Sequence, residues 1–393
     1  MMPKLTTYIL SLNCGSSSLK FALYHSESIK LELSGAIIRI GDKDGELEIK
    51  GADHQSLEKK SKAYKNMGMA AKEVAGWIKK RDYTLKGIGH RLVQGGPDHR
   101  QPEMITDKLL KAIKEFIYLA PNHMPDEIQT ISIFQQAFKD LPQVACFDTS
   151  FHRDMPFYSK YYPLPAEFKD KGLIRYGFHG LSYEYIMQEL TKKIPGINSE
   201  KIIIAHLGNG ASMAAVKNGT CVETTMGVST IGGLIMGTRS GDLDPGVLLF
   251  LMKQTKLTVS ELDDILSKRS GLKGIAGISD VQELLENESA DERAKEALTM
   301  FCYSAKKFIG SLAAAMGGID RLVFTGGIGE NSAVIRQRIC QDLAFLGIEA
   351  DEKSNQNAKE VISLKKGKVV INVQQTNEEW MIAQHTLNII KRR

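Results

Sequence analysis

The stretch TYILSLNCGSSSLKFALY, residues 7–24, joins two runs of β-forming residues through a turn of one glycine and three serines. A close echo, KIIIAHLGNGASMAAVKNG, occupies residues 201–219, again with a short turn of small and polar residues between apolar runs. Such runs, separated by glycine-containing turns, are typical of β-hairpins. Two similar hairpins about half a chain apart indicate a duplicated domain.

Helical patterns lie between and after these hairpins. Residues 104–120 and 290–318 carry apolar side chains at helical spacing, so we expect a long helix in each. The segment RLVFTGGIGENS, 321–332, predicts a strand that runs into a glycine turn, and AVIRQRICQDLAFLG, 333–347, predicts a helix after it. Hairpins mixed with helices predict an α/β fold with mixed β-sheets flanked by helices.

Length and composition limit the class of protein. A chain of 393 residues exceeds the size at which one core keeps growing, which predicts two domains. Hydrophobic residues make up 42% and charged residues 25%, as in soluble globular proteins. The net charge of +5 is spread along the chain in short basic stretches without aromatics, so we expect no nucleic-acid partner.

The cysteines and the N-terminus indicate the compartment. Five widely spaced cysteines form no C-x-x-C pair, which predicts free thiols in a reducing environment. The first apolar run is too short for a signal peptide, and no stretch reaches the length of a membrane span. We therefore expect a cytoplasmic protein with no membrane partner.

Small-residue turns recur where chemistry is expected. NCGSSSLKF, 13–21, is not a Walker loop, because it lacks the second glycine and continues as a strand. Its backbone N–H groups, its hydroxyls and Lys20 can still bind phosphate. AHLGNGAS (205–212), FTGGIGEN (324–331) and a strand-end aspartate, Asp148, accompany it. Together these motifs suggest a nucleotide held between two domains.

Nine motifs in one order give a nearly end-to-end resemblance to a known family. They are NCGSSSLKF, GHRLVQGG (89–96), LAPNH (119–123), FDTSFH (147–152), YGFHGLS (176–182), HLGNGAS (206–212), MGTRSGDLDPG (236–246), FTGGIGENS (324–332) and TNEE (376–379). The chain resembles the acetate kinase family and its short-chain acyl kinase relatives, within the acetate and sugar kinase/Hsp70/actin superfamily. The resemblance implies two duplicated ribonuclease-H-like domains with the active site in the cleft between them. Residues 1–150 plus 377–393 would form the acyl-kinase domain, and residues 151–376 the nucleotide-binding domain.

The implied reaction is reversible phosphoryl transfer from ATP to a short carboxylate, most simply acetate, to give ADP and acetyl phosphate. A carboxylate is already ionised at neutral pH, so the site needs cations that hold two anions together more than it needs a strong base. By resemblance, the catalytic residues are Asp148, His179, Arg239 and His123. Asp148 is expected to organise metal-bound water or to orient an arginine, and His179 to steady the transferring phosphoryl group.

The resemblance also implies ligand-binding residues. The substrate would contact Arg91, Val93, Asn122, Phe178 and Thr230. The nucleotide would contact Ser16, Lys20, His206, Leu207, Gly208, Asn209, Gly210, Asp280, Val281, Gln282, Gly327, Ile328, Gly329, Glu330 and Asn331. Asn13 and Glu378 match the family's Mg²⁺ site, for which Mn²⁺ is an alternative, and their oxygen donors suit a hard cation. Family members are usually homodimers.

The departures from the family pattern concern substrate and base. Asn122 and Thr230 stand where leucine and proline usually contact the acetate methyl group, Gln94 replaces a histidine, and Gln282 replaces an arginine near the base. A propionate or small hydroxy-acid kinase of the same family is therefore an alternative. A rival of another class is a degenerate nucleotide-binding protein without turnover, although the retained charged residues disfavour it. A sugar kinase is disfavoured because a hydroxyl nucleophile needs a base.

Overall fold

The computed structural model describes residues 6–392, which divide into two compact units. The first unit comprises the chain up to Ser150, the short segment Gly180–Ser182, and the chain from Asn377 onward. The second comprises Phe151–His179 and Tyr183–Thr376. The names acyl-kinase domain and nucleotide-binding domain stay predictions for these units.

The first unit is built around an eight-stranded mixed sheet. Its strands are β1 Thr7–Cys14, β2 Leu19–His25, β3 Leu31–Ile38, β4 Glu46–Gly51, β5 Ser56–Ser61, β6 Thr84–Leu92, β7 Glu103–Met104 and β8 Gln143–Phe147. Its helices are α1 Met67–Lys79, α2 Asp107–Lys114 and α3 Met124–Ala137, together with the last helix of the chain, α15 Glu378–Lys391.

The second unit is built around a five-stranded mixed sheet. Its strands are β9 Ile202–Leu207, β10 Ala211–Lys217, β11 Thr220–Thr224, β12 Arg321–Thr325 and β13 Val370–Val373. The helices between Ser150 and Asn377 are α4 Phe157–Lys160, α5 Ala166–Asp170, α6 Gly180–Lys193, α7 Pro245–Thr255, α8 Val259–Lys268, α9 Gly271–Ala276, α10 Val281–Asn287, α11 Glu292–Met316, α12 Gly326–Asn331, α13 Ala333–Cys340 and α14 Glu352–Gln356.

The two sheets contain the same run of five strands. In the first sheet the order is β3-β2-β1-β6-β8, and in the second it is β11-β10-β9-β12-β13. In both runs the first two pairings are antiparallel and the last two are parallel. The two hairpins found in the sequence, β1–β2 and β9–β10, occupy equivalent places. The expected α/β fold with two related mixed sheets is confirmed.

Each sheet is covered by helices because successive strand residues face opposite sides. In β1, Leu10 and Leu12 pack with Trp77 of α1 and Phe134 of α3, whereas Ile9 packs with residues of α15. In the second unit, α6 packs on one side of β9, β10 and β12, and α11 also packs against β9 and β10. Asn13 lies an even number of residues after Ile9 in β1, so its side chain is on the same face of the sheet as that of Ile9, the face covered by α15.

Two helix predictions and one turn prediction need correction. The pattern over 104–120 gives only α2, capped by Thr106 and ended at Lys114, because Phe116 then turns in against Gly96 and a 3₁₀ turn follows. The pattern over 333–347 gives α13, which stops at Cys340 and is followed by a 3₁₀ turn that ends on Gly347 at φ +82°. The expected glycine turn after β12 is itself a short helix, α12. The long helix over 290–318 forms as α11.

All five cysteines are buried, and no disulfide joins any of them. Burial raises the pKa of Cys14, Cys302 and Cys340 to about 12, so these thiols are protonated at neutral pH. Within residues 6–392, no helix is both long enough and apolar enough to span a bilayer.

Candidate active site

Three predicted site residues lie at one edge of the first sheet. Asn13 is near the carboxyl end of β1, Arg91 near that of β6, and Asp148 directly follows β8. These three strands are parallel, so their carboxyl ends meet at the same edge. Asp148 donates its backbone N–H to the carbonyl of Leu92 at 2.9 Å, which fixes its position beside the end of β6.

Arg91 and Asp148 form a buried ion pair. Nε and Nη2 of Arg91 both donate to Oδ2 of Asp148, at 3.1 and 2.5 Å, and Nη1 donates to the carbonyl of Cys14 at 2.8 Å. Burial by itself lowers the pKa of Arg91, but the nearby carboxyl groups of Asp148, Glu378 and Glu127 outweigh it and hold that pKa above its usual value. Three of the five guanidinium N–H groups are used in these bonds, which leaves two that can meet a carboxylate.

The start of α3 is tied to the end of β6 by a buried glutamate. Both carboxyl oxygens of Glu127 accept from the backbone N–H of Val93, at 3.2 and 3.1 Å. Burial raises the pKa of Glu127 to about 8, against the opposing effects of Arg91 and the Val93 N–H. Asn122 and His123 directly precede α3, so this bond ties the helix that follows them to the end of β6.

The opening hairpin and the last helix meet at Asn13. Its amide Nδ2 donates to Oε2 of Glu378 at 2.8 Å and to Oε1 of Glu379 at 2.9 Å. Lys20 lies opposite Asn13 in the β1–β2 register and is exposed, next to a tight turn in which the N–H of Gly15 donates to the carbonyl of Ser18. This end of the hairpin therefore carries the Asn13 amide and the exposed Lys20, and it meets the two carboxylates at the start of α15.

In the second unit, the ring of His179 is held from two sides. Nδ1 of His179 lies 2.8 Å from Oγ of Ser212, and that hydroxyl lies 2.5 Å from the phenol of Tyr183. The imidazole of His206 stacks on the His179 ring, with centroids 4.3 Å apart and planes 20° apart. His179 has a positive φ of 59° at the start of α6, a conformation that few non-glycine residues adopt.

Arg239 and His179 converge on the backbone of Gly210. A β-carbon built on Gly210 would lie 3.3 Å from Nε2 of His179 and 3.5 Å from Nη1 of Arg239. Nη1 of Arg239 also donates to the carbonyl of Thr230 at 3.2 Å, which orients the guanidinium. Two side-chain nitrogens thus lie next to the position that a side chain at Gly210 would occupy, and such a position suits one oxygen of an anion.

Close backbone approaches bring the glycine-containing turns together. A β-carbon on Gly326 would overlap the backbone of Leu207, and one on Gly237 would overlap Asn209. The N–H of Gly237 donates to the carbonyl of Asn209 at 3.1 Å. Glu330 holds the start of α12, because its Oε1 accepts from Gly326 N at 2.9 Å. The glycines near 326 therefore allow chain segments to pack closely, as the sequence predicted.

Other predicted residues have local roles in the structure. Val93 and Phe178 are almost fully buried, whereas Asn122 and Thr230 are half-buried. Asp280 caps α10 by accepting from the N–H of Glu283 at 3.0 Å. No described contact joins Asp280, Val281 or Gln282 to the other nucleotide candidates within residues 6–392, so their nucleotide role stays a prediction.

Two histidines inside the motifs are structural. Nε2 of His90 pairs with Gln143 at 2.8 Å, and Nε2 of His152 donates to the carbonyl of Phe178 at 3.0 Å. Burial lowers the pKa of each to about 4, so both are neutral at pH 7.

Four residues of the site were not found from the sequence, namely Glu127, Tyr183, Ser212 and Glu379. Glu127 had a detectable signal, because it lies on the buried stripe of α3 marked by Met124, Ile128 and Ile131. A carboxylate on such a stripe indicates a specific partner. The described residues contain no cluster of three or more His, Cys, Asp or Glu side chains that could hold a metal ion by themselves.

Comparison with known proteins gives one family. The model of the acetokinase family matches residues 8–384. An acetate kinase of Carboxydothermus hydrogenoformans is 41% identical over 97% of this chain and 99% of its own length. The crystal structure of a Porphyromonas gingivalis acetate kinase superposes with a TM-score of 0.86 at 36% identity, covering 98% of this chain and 99% of that one.

A propionate kinase is also among the similar structures. The crystal structure of a propionate kinase from Francisella tularensis superposes with a TM-score of 0.90 at 37% identity, covering 98% of this chain and 100% of the other. Both the family match and the near-complete coverage agree with the motifs and with the paired sheets. The chain therefore belongs to the acetokinase family and is a phosphotransferase that acts on a carboxyl group.

Proposed function

We propose that the chain transfers a phosphoryl group directly from ATP to acetate, forming acetyl phosphate and ADP, and that it also catalyses the reverse reaction. The main support for this proposal is that two arginines, Arg91 and Arg239, are each held in place by a hydrogen-bond partner. Arg91 is held by Asp148 in the first unit, and Arg239 is held by Thr230 in the second, where it shares an open volume with His179. Direct transfer between two anions depends on such fixed cations more than on proton abstraction.

Arg91 is the proposed anchor of the acceptor. Its two remaining N–H groups suit the two oxygens of a carboxylate, since a guanidinium forms bidentate pairs with that group. Asp148 is already occupied as the partner of Arg91, and acetate at neutral pH carries no proton to remove. Asp148 therefore acts as the group that orients Arg91. His123, just before α3, is the second proposed residue of the acceptor site.

Arg239 and His179 are the proposed ligands of the transferring phosphoryl group. Each has a nitrogen next to the volume beside Gly210, where an equatorial oxygen would accept from both. The adjoining turns that contain Gly208 and Gly327 offer backbone N–H groups to the nucleotide phosphates. Ser16 and Lys20 stay candidates for phosphate binding by resemblance alone.

The oxygen donors at Asn13 fit a divalent cation such as Mg²⁺. The Asn13 amide nitrogen donates to Glu378 and Glu379, and the Oδ1 of Asn13 and the two carboxylates are hard oxygen donors of the kind that Mg²⁺ prefers. Bound there with the nucleotide, the ion would neutralise charge on the phosphates. Because the protein supplies few oxygen donors here, water and nucleotide oxygens would provide several of the ligands of the ion.

The identity of the acid has one competing candidate. Asn122 and Thr230 are half-buried polar residues at positions that the family resemblance assigns to the methyl pocket. The propionate kinase of F. tularensis superposes on this chain with a TM-score of 0.90, against 0.86 for the P. gingivalis acetate kinase. Propionate or a small hydroxy acid is therefore the second candidate substrate.

The test is Mg²⁺-dependent formation of acyl phosphate, trapped as the hydroxamate, from ATP and acids of two to four carbons. We expect product with acetate and none without the divalent ion. A protein that binds ATP but phosphorylates none of these acids would be a degenerate nucleotide-binding protein. A best rate with propionate or glycolate would select the second candidate.

We also propose that the enzyme is a homodimer that uses α7. This helix buries none of its side chains within the chain, and Leu249, Phe250 and Met252 are 55%, 61% and 42% exposed. An apolar helix face of this kind is typical of an interface. Sedimentation should detect a dimer that Phe250→Asp dissociates, whereas Leu57→Asp, at an equally exposed site on β5, should leave it intact.

A further inference from the structure

We propose that Ser212 and Tyr183 are positioning residues that hold the imidazole of His179 in one tautomer, with its proton on Nε2. This inference rests on the proposed role of His179 in phosphoryl transfer. The three side chains form a hydrogen-bonded row, Tyr183 Oη to Ser212 Oγ at 2.5 Å and Ser212 Oγ to His179 Nδ1 at 2.8 Å. Ser212 and Tyr183 are both completely buried.

The order of protons along the row follows from acidity. A phenol, with a pKa of about 10, is a far stronger donor than an aliphatic hydroxyl, so Tyr183 donates to the oxygen of Ser212. A serine hydroxyl has a single proton. That proton is then directed at Nδ1 of His179, which must accept it, and a neutral imidazole whose Nδ1 accepts carries its own proton on Nε2.

The tautomer of His179 matters because its Nε2 lies next to the open volume beside Gly210. Nε2 of His179 and Nη1 of Arg239 lie 3.3 and 3.5 Å from the point at which Gly210 would carry a β-carbon. With the proton on Nε2, both groups donate to an oxygen in that volume. With the proton on Nδ1, the Nε2 lone pair would point at the same oxygen and repel it.

The surroundings resist rotation of the ring. His206, which lies opposite Ser212 in the β9–β10 register, stacks on the His179 ring. On the other side of the turn, His152 donates to the carbonyl of Phe178 and so holds the backbone just before His179. The positive φ of His179 is thus maintained by contacts to the ring and to the preceding peptide.

The test combines NMR of the ¹⁵N-histidine-labelled protein with kinetics. His179→Gln assigns the His179 signals by their loss and measures the dependence of kcat on this side chain. We expect wild type to show a protonated Nε2 and an accepting Nδ1. In Ser212→Ala, Nδ1 should gain a share of the proton, and kcat should fall about two- to tenfold, the equivalent of one hydrogen bond, with the KM for acetate unchanged.

Tyr183→Phe is the second variant, since it keeps the buried ring and removes only the hydroxyl, and it should change the tautomer and kcat in the same direction. Ser159→Ala is the matched control, because Ser159 is a buried serine of the same unit whose hydroxyl donates to the carbonyls of Pro156 and Val222. It should leave the His179 signals and kcat as in wild type.

The outcomes separate the two proposals. A proton on Nδ1 in wild type, or an unchanged tautomer or kcat in Ser212→Ala while His179→Gln is inactive, would overturn the positioning role. Full activity of His179→Gln would instead overturn the proposed role of His179, and with it the reason for the row.

Discussion

Arg91 donates from Nε and from Nη2 to a single oxygen of Asp148, so this carboxylate is already committed to an arginine. We therefore predict that Asp148→Asn reduces kcat/KM by about 10²-fold or more, because Arg91 loses the partner that orients it. The loss should stay constant from pH 6 to pH 9, because no proton abstraction is lost.

The hydroxamate assay over this pH range provides the measurement. Glu200→Gln is the matched control, since it weakens the ion pair between Glu200 and Arg321. Arg321 is the first residue of β12, whereas α12 follows the other end of this strand. Glu200→Gln should lower stability without a comparable loss of kcat/KM. Recovery of the Asp148→Asn activity at high pH would make Asp148 a general base and contradict its orienting role.

The open volume beside Gly210 gives a second prediction. Gly210→Ala should reduce kcat at least about 10²-fold, because the new methyl group would occupy the point on which His179 and Arg239 converge. The φ of Gly210 is not positive, so the backbone accepts alanine without strain. Gly310→Ala, in an open position within α11, is the control and should be neutral or slightly stabilising. A fully active Gly210→Ala would mean that no phosphoryl oxygen enters this volume.

The hairpins could be predicted from sequence because their signals are local. The turns at 15–18 and 208–210 lie between β-forming runs, and the structure places β1–β2 and β9–β10 there. The end of α2 could not be predicted in this way, because Phe116 leaves the helix to pack against Gly96, some twenty residues away along the chain. Similarly, the glycines of α12 have low helix propensity, and the start of this helix is held by a side chain, since Glu330 accepts from the N–H of Gly326.

The site was predictable only where a motif carried it. Asn13 and Glu378 are 365 positions apart, and only the family resemblance paired them before the structure showed their contact. Ser212 lies inside a motif, but its partners His179 and Tyr183 come from another segment, so no sequence pattern revealed the row. Hydrogen bonds between distant segments depend on the tertiary fold, and these are what sequence reasoning lacked.

We expect the enzyme to discriminate weakly between the bases of its nucleotide substrates. Gln282 is exposed on α10, and its Nε2 donates to Glu286 at 3.1 Å, so no cation is available at this position to lie on the base. We predict that GTP and ITP support rates near that of ATP. Gln282→Arg should raise the kcat/KM for ATP about two- to fivefold, as expected for an exposed cation–π contact.

Initial rates with the three nucleotides test this prediction. Gln356→Arg is the matched control, because Gln356 is also exposed and donates to a glutamate one helical turn earlier, Glu352. A strong preference of the wild type for ATP would show that other residues read the base.

The raised pKa of Glu127 predicts a pH dependence of stability. The folded protein keeps this proton up to about pH 8, whereas an unfolded glutamate loses it near its ordinary value of 4.5. The folded state therefore binds more protons between these values, and its stability through this group falls as the pH rises from about 4.5 to 8. Glu127→Gln removes the titration while its amide oxygen can still accept from Val93.

The midpoint of thermal unfolding, measured for both proteins from pH 5 to pH 9, tests this prediction. The Tm of Glu127→Gln relative to wild type should increase with pH by at least about 2 to 4 °C, the shift that corresponds to 1 kcal/mol in a domain of this size. Glu296→Gln, at an exposed site on α11, should show a constant difference. A difference for Glu127→Gln that does not change with pH would mean that the buried carboxyl is ionised throughout.

The final prediction concerns the choice of acid. Asn122 and Thr230 are half-buried, so water can reach both side chains in the free enzyme. We expect acetate to be used with a raised KM, because a hydrated wall buries the methyl group poorly. Asn122→Leu/Thr230→Pro should lower that KM, and the carbonyl of residue 230 that Arg239 uses is retained in this variant.

The deciding measurement is kcat/KM for acetate, propionate, glycolate and lactate on both proteins. A hydroxyl of glycolate that meets Asn122 or Thr230 would add one hydrogen bond, worth about 0.5 to 1.5 kcal/mol, which is a preference of about two- to tenfold in the wild type. The double variant should reverse this preference, because it removes the polar partners and adds apolar surface. If acetate does not gain on glycolate in the double variant, Asn122 and Thr230 do not line the acyl pocket, and the substrate side of the site must be assigned to other residues around Arg91.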